Sequence, residues 1–206
     1  MVDLPVVDPQ EPQVQYNSAE ELKTVDRLGT GRWAVTLPGL GGSAGRGSVV
    51  ASNINATATA CRVTGWEAGI VARVACRNRL GALGDRPFAL TYLKRRGLKG
   101  EGEEHVAYLL ADQPSTAHYL PRAGFRSSTG GSTLVIDRID VGVYKVTLEG
   151  IPLGGSAQVT PFGSGKRRCV VAGIRKTGLP QRITVRCFTA DGSAPADAKF
   201  TLSYTR

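Results

Sequence analysis

The residues best equipped for chemistry in this chain are four cysteines, two short basic runs and one tryptophan. Cys61, Cys76, Cys169 and Cys187 are the only thiols in 206 residues. Thiols can serve as disulfides, as thiolate ligands of a tetrahedral zinc, or as plain reduced side chains. Zinc sites usually bring their cysteines in close C-x-x-C pairs. The spacings here, 15 residues from Cys61 to Cys76 and 18 from Cys169 to Cys187, are not of that kind. Lys94-Arg95-Arg96 and Lys166-Arg167-Arg168 are candidate contacts for an anionic polymer, and Trp66 for a sugar or a partner protein. The plainer alternatives are solvated surface charge and a buried Trp.

Catalytic patterns are weak by comparison. A Ser-His-Asp or Cys-His site needs a histidine oriented by a third group. The two histidines, His105 and His118, both fall outside the repeated motifs described below. Gly39-Leu40-Gly41-Gly42-Ser43-Ala44 fits G-x-G-x-x-A. A dinucleotide site would require a helix to start there, and Ser48-Val49-Val50 reads as a strand. Gly163-Ser164-Gly165-Lys166 lacks both the first glycine and the final Ser/Thr of a phosphate loop, so it reads as a turn. Asp26 and Asp137 recur beside arginines, and Asp85 recurs as Asp197. Such duplicated acids read as turn-forming or ion-paired residues rather than a glycosidase pair. No acidic loop has calcium-ligand spacing. The expectation is therefore a protein that is not an enzyme, with no catalytic residues, metal or cofactor.

The elements that must position these residues are visible as two related halves. Residues 31–40, GRWAVTLPGL, match residues 142–151, GVYKVTLEGI. Gly31 meets Gly142, Trp33 meets Tyr144, and Val35, Thr36 and Leu37 meet Val146, Thr147 and Leu148. Upstream, Asp26-Arg27 falls on Asp137-Arg138. Downstream, Cys61-Arg62-Val63 answers Cys169-Val170-Val171, Cys76 answers Cys187, and Phe88-x-Leu90-x-Tyr92 answers Phe200-x-Leu202-x-Tyr204. Agreement in that order over so many positions marks an internal duplication. It selects one of the three cysteine pairings: Cys61 with Cys76 and Cys169 with Cys187, each within its own copy.

Apolar residues alternate through the matched stretches. Trp33, Val35 and Leu37 share one face, as do Tyr144, Val146 and Leu148, with Lys145 and Thr147 on the other. That is the period of strands with one wet side. Pro38-Gly39, Gly154-Gly155 and Asp191-Gly192 punctuate them as turns. The sequence thus predicts an all-β protein of two tandem disulfide-stapled antiparallel β-sandwich or barrel repeats, with about five strands each. Residues 1–14 read as a flexible lead, 15–94 as the first repeat, 95–104 as a charged Gly-rich linker and 105–206 as the second repeat. Residues 106–112 read as an extra strand that opens the second repeat, with completion of the first repeat's sheet as the open alternative. Residues 18–23 have some helix-start character, which the repeat overrides. Segments 41–48 and 154–166 differ between copies and read as variable binding loops.

The net charge is +9 and aromatics are 6% of the chain. A basic balance favours acidic partners. Nucleic acid is disfavoured because base stacking needs exposed aromatics, and the recurring ones lie on the core face. No run of about 20 apolar residues is present, so no membrane insertion is expected. Disulfides imply an oxidising compartment. The localisation expected is secreted or extracellular, which takes a signal peptide as already removed, since residues 1–14 lack its features.

Together these motifs resemble tandem-repeat exported proteins of unknown function from actinobacteria and other bacteria. The shared pattern is G-x-Y/W-x-V-T-L-P-G-L, then C-x-V, V-x-V-x-C and F-x-L-x-Y. The segment from Ala107 to Ala117 resembles the opening of that repeat. Glu149, where proline is usual, and the absence of an opening segment in the first copy depart from the pattern. The resemblance implies export and a β-fold, and supplies no catalytic residue. The expected function is a non-enzymatic extracellular β-repeat binding or assembly module for a glycan, an anionic cell-wall polymer or a protein partner. Two alternatives stay open: a secreted inhibitor of a protease or toxin, and a hydrolase with a site between the repeats, using Asp112 with Glu103 or Glu104.

Overall fold

The computed structural model describes residues 15–40, 47–54, 59–67, 70–94, 105–131 and 133–206. The lead 1–14 and the linker 95–104 lie outside the described residues. Among the described residues all regular structure is β, apart from two short 3-10 turns at Ala123–Phe125 and Thr129–Gly131. Residues 18–23 hold a turn rather than a helix.

The first unit contains β1 (Thr24–Gly29), β2 (Arg32–Thr36), β3 (Ser48–Asn53), β4 (Thr59–Trp66), β5 (Val71–Asn78) and β6 (Phe88–Leu93). Strands β1-β2-β5-β4 form one antiparallel sheet, and β3 pairs with β6 in a second. The second unit begins with β7 (Val106–Ala111), β8 (His118–Tyr119) and β9 (Arg126–Ser128). It continues with β10 (Leu134–Asp140), β11 (Val143–Leu148), β12 (Ser156–Pro161), β13 (Arg168–Ile174), β14 (Gln181–Phe188) and β15 (Phe200–Thr205). Its sheets run β13-β14-β11-β10-β8 and β12-β15-β7-β9. The order β1-β2-β5-β4 thus reappears as β10-β11-β14-β13, and β3-β6 as β12-β15. Register breaks also fall at corresponding places, at Arg27/Gly29 and Arg138/Asp140, and at Val63/Gly65 and Val171/Gly173.

The expected disulfides are present, Cys61–Cys76 and Cys169–Cys187. Each joins residues directly opposite on neighbouring strands, with Cα atoms 4.0 and 4.1 Å apart. The reason lies in the ladder. The Cys76 N–H donates to Gly31 O and its carbonyl accepts from Gly84 N–H, so both groups point away from β4. Cys187 does the same with Gly142 and Ala196. That leaves each cysteine in the non-hydrogen-bonded kind of cross-strand pair, where Cα atoms approach most closely. The bridges lie within the core clusters.

Gly31 and Gly142 are required by that arrangement. Both have φ near +65°. A Cβ on Gly31 would lie 2.6 Å from Gly84 N, and one on Gly142 would lie 2.6 Å from Ala196 N. Any other residue would be both strained and in collision with backbone.

One open alternative is decided, and two expectations need correction. Strand β7 does not complete the first unit. It pairs along its whole length with β15, from Val106 opposite Thr205 to Ala111 opposite Phe200. The pairing places Ala107, Leu109 and Ala111 in the core beside Phe200, Leu202 and Tyr204. The first correction concerns 154–166, which holds strand β12 (Ser156–Pro161), paired with β15 throughout. Its counterpart β3 likewise occupies the end of 41–48, and residues 41–46 lie outside the described set. Lastly, each unit has six matched strands rather than about five.

Candidate functional site

The two units meet in a joint built from β3, β4 and one face of the β12-β15 ladder. Strand β3 is an edge, and unpaired backbone groups there need partners. Hydroxyls of the second unit supply them. Thr160 Oγ accepts from Ala51 N–H at 2.8 Å and donates to Ala51 O at 2.9 Å, while Thr201 Oγ donates to Val49 O at 2.7 Å. Both threonines are fully buried. In the β12 and β15 alternation they occupy the positions that would otherwise face solvent.

Along β4, a parallel bridge joins Val63 to Phe162, and Gly163 N–H donates to Val63 O at 2.9 Å. Trp66, at the end of β4, packs edge-on against Phe125 at 5.8 Å and Phe162 at 5.5 Å between ring centroids. Its ring is committed to the joint, so the structure places this candidate ligand contact against the second unit of the same chain.

The bridge also brings the run Lys166-Arg167-Arg168 over the first unit, where Arg62 and Arg77 wait. Arg62 points away from its own unit's core, alternating with Cys61 and Val63. Yet it is only 3% exposed, because the second unit covers it. Its Nη2 donates to Phe162 O at 2.9 Å and its Nη1 to Gly165 O. Arg77, opposite Ala60 in the β4-β5 ladder, donates through Nη1 to Gly81 O at 2.8 Å. The turn after β5 is held by Asn78 Oδ1, which accepts from the N–H groups of Leu80 and Ala82. Lys166 lies across that turn: a Cβ on Gly81 would come within 2.8 Å of its Cδ.

A recess results, lined by Arg62, Arg77, Asn78, Lys166, Arg167 and Arg168, with no Asp or Glu among the described residues that line it. Its interior of about 10 Å³ admits one water-sized group. Neither the Nε–H of Arg62 nor that of Arg77 has an acceptor among the described residues, and both atoms are buried. Burial, with Arg77 and Arg167 as like-charged neighbours, pulls the Arg62 guanidinium down to about 10. A guanidinium held without a carboxylate, among other cations, stands in a strongly positive local field.

The remaining candidates lie elsewhere. Lys94 is half-buried just after β6, and Arg95 and Arg96 lie outside the described residues. Asp112 is ion-paired with Arg122 at 2.8 Å, and Glu103 and Glu104 also lie outside the described residues. His118 Nδ1 is 2.6 Å from Asp137 Oδ1, on an exposed edge. Asp137 also takes Lys145 at 2.9 Å. The recurring Asp-Arg residues work crosswise. Arg27 pairs with Asp85 and Arg138 with Asp197, and each aspartate also accepts the N–H of the glycine at the neighbouring turn, Gly31 or Gly142. They are turn clamps.

Sequence reasoning found Lys166, Arg167 and Arg168 but missed Arg62 and Arg77. The available signal was the mismatch at a matched position: Arg62 corresponds to Val170, which is 48% exposed. Thr160 and Thr201 were missed as well, since polar residues at alternating positions ordinarily face water.

No family model matches the chain, nor does any curated protein or any solved structure.

Proposed function

We propose that this protein is an extracellular, non-enzymatic binding module of two duplicated β-repeats, and that its ligand is an anionic cell-wall polymer held at the joint between them. One observation carries the reading: the joint gathers Arg62 and Arg77 of the first unit with Lys166, Arg167 and Arg168 of the second, around a recess with no carboxylate among the described residues that line it. Two cystines, both placed in the cores, support an oxidising compartment. The matched strand orders and register breaks support duplication.

The joint suits a binding surface because it is rigid. Buried threonine bonds, the Val63–Phe162 bridge and the Trp66 cluster fix its two sides together, and carbonyl bonds hold Arg62 and Arg77 in place before a ligand arrives. Preorganised charge loses less on binding than mobile charge does. A polymer with repeating negative charge would lie across the exposed Lys166 and Arg167, and its affinity would fall steeply with salt.

The test is sedimentation of the oxidised protein with insoluble cell walls, repeated with walls stripped of their anionic polymer and with a neutral glycan. The expected result is binding to intact walls at low salt, reduced by high salt and by stripping. Equal binding to stripped walls or to the neutral glycan, or no binding to any of them, overturns the reading.

A further inference from the structure

We propose that Arg62 and Arg77 form a seat for one phosphate-type oxyanion, the point at which the polymer's charged group is gripped rather than merely attracted; this rests on the anionic-polymer reading above.

The inference starts from buried donors. Charged guanidinium groups inside a protein are normally satisfied by carboxylates or carbonyls, and a buried donor left alone is costly. Here two neighbouring guanidinium groups border the same recess, and each keeps a buried Nε–H for which no described residue supplies an acceptor. Their Nη groups are already anchored, Arg62 on Phe162 O and Gly165 O, and Arg77 on Gly81 O. Those carbonyls hold both arginine side chains where they border the recess. Arg62 is 3% exposed, which distinguishes it from a surface arginine that merely lacks a partner.

The chemistry of the site selects the ligand class. Among the described residues that line the recess there is no carboxylate. The interior takes one water-sized group, enough for a single oxygen of a larger anion. The other oxygens would remain at the mouth, where Lys166 and Arg167 are exposed and Arg168 is half-buried. An anion with several oxygens pointing in different directions fits donors spread over two units, and arginine forks suit phosphate well. A neutral sugar has no charge to offset five gathered cations. Burial and the like charges of Arg77 and Arg167 lower the Arg62 pKa, and an anion beside it would oppose that shift.

The matched positions sharpen the argument. Arg62 corresponds to Val170 and Arg77 to Phe188, so the second unit carries no copy of the seat. The seat exists only where one unit is covered by the other. The inference therefore predicts one strong phosphate site per chain.

Titration of the oxidised protein with inorganic phosphate, followed by phosphorus NMR and by thermal unfolding, tests it directly. The expected result is saturable binding at one site, weakened about tenfold or more in Arg77→Gln and unchanged in Arg182→Gln, a β14 residue away from the recess. Arg62→Gln is the companion variant, and because Arg62 also ties the units together, Arg77→Gln keeps the test readable if Arg62→Gln does not fold. Undiminished phosphate binding in Arg77→Gln, or a wild-type affinity no greater than that of Arg77→Gln, overturns the seat. Wall binding separates the two readings. If walls still bind Arg77→Gln as tightly as the wild type, the seat fails and the module reading survives. If phosphate binds at one Arg77-dependent site and walls do not bind, the seat stands and the module reading fails. Saturable binding of a nucleic-acid strand in place of walls would assign the same seat to a different phosphate polymer and overturn the wall assignment.

Discussion

Phe200, Leu202 and Tyr204 of β15 are fully buried, while their counterparts Phe88, Leu90 and Tyr92 of β6 are all half-buried. The side chains are identical and so is the alternation. The difference lies in what flanks the strand. Strand β15 has β12 on one side and β7 on the other, whereas β6 is paired with β3 among the described residues. Strand β7 extends the second sheet, and Ala107, Leu109 and Ala111 carry the apolar face across it. The outcome is one continuous core of eighteen buried residues in the second unit, against separate clusters of eight and three in the first, counted over the described residues. The second unit is thus the stable body, and the first depends more on its staple and on the joint.

A second matched pair shows the same asymmetry in polar form. Tyr144 is fully buried, and its hydroxyl shares its one proton between Pro114 O at 3.0 Å and Asp197 Oδ1 at 3.1 Å while accepting from Ala198 N–H at 3.1 Å. Trp33, in the corresponding place, keeps a buried indole N–H with no acceptor among the described residues. Pro114 belongs to the segment that follows β7, so the extra segment completes polar bonding as well as packing.

The largest expected effect comes from emptying matched core positions. Leu202→Ala should cost about 3–5 kcal/mol, because the site is closed on all sides and cannot collapse. Leu90→Ala should cost roughly 1–2 kcal/mol, since its side chain is already partly in water. Denaturant unfolding of the oxidised variants measures both. Equal losses would mean that the two cores are equally closed and would break the comparison.

Next is the staple. Loops of 15 and 18 residues give nearly the same entropic term, about 3 kcal/mol each. Removing Cys61–Cys76 by paired alanines should therefore expose the weaker core: the first unit should unfold in a separate, earlier transition. Removing Cys169–Cys187 should lower the stability of the whole without splitting it. Two-probe melting, by far-UV signal and by fluorescence of Trp33 and Trp66, which both lie in the first unit, distinguishes these outcomes.

The joint gives a smaller effect. Thr160→Val keeps shape but removes the hydroxyl that bonds both Ala51 N–H and Ala51 O. Buried backbone groups left unpaired cost about 1–3 kcal/mol. The loss should appear as weakened coupling between the units, with faster amide exchange in β3 and unchanged exchange in β14. Uniform loss of protection in both units would show that the joint does not couple them in this way.

The pattern of these effects also explains what was legible in the amino-acid sequence. Period-2 alternation and the matched cysteines revealed the strands, the all-β class and both disulfides, because each depends on local spacing. The clamps Arg27–Asp85 and Arg138–Asp197 were visible as recurring residues, although their crosswise partners were not. Arg62, Thr160 and Thr201 were not legible as buried. Each points away from its own unit's core, and only the docking of the other unit turns a wet position into a dry one. The pairing of β7 was left open for a related reason. Its place in the chain, directly after β6, suggested that unit, and the edge that receives it lies almost a hundred residues further on.

The smallest expected effect is on pH dependence, where the two clamps can be compared directly. Hydrogen bonds from Arg27 hold Asp85 below the ordinary carboxylate value despite some burial, with the Gly31 N–H helping. At Asp197 burial pushes the other way. The bonds from Arg138, the Gly142 N–H and the Tyr144 hydroxyl outweigh it, so that this carboxylate is lowered too. A carboxylate with a depressed folded-state pKa contributes stability that is fully present above its unfolded value, about 4. That contribution is lost as pH falls through the folded value. Both clamps should therefore be intact at neutral pH and fail only in acid. Asp85→Asn and Asp197→Asn should each flatten the fall in stability below about pH 4 and leave the slope between pH 6 and 8 unchanged. Asp197→Asn should also lower neutral-pH stability more than Asp85→Asn, because it disturbs a fully buried tyrosine that has no counterpart beside Asp85. Urea unfolding midpoints at a series of pH values measure this, and the same neutral-pH loss in both variants would show that Tyr144 adds nothing to the second clamp.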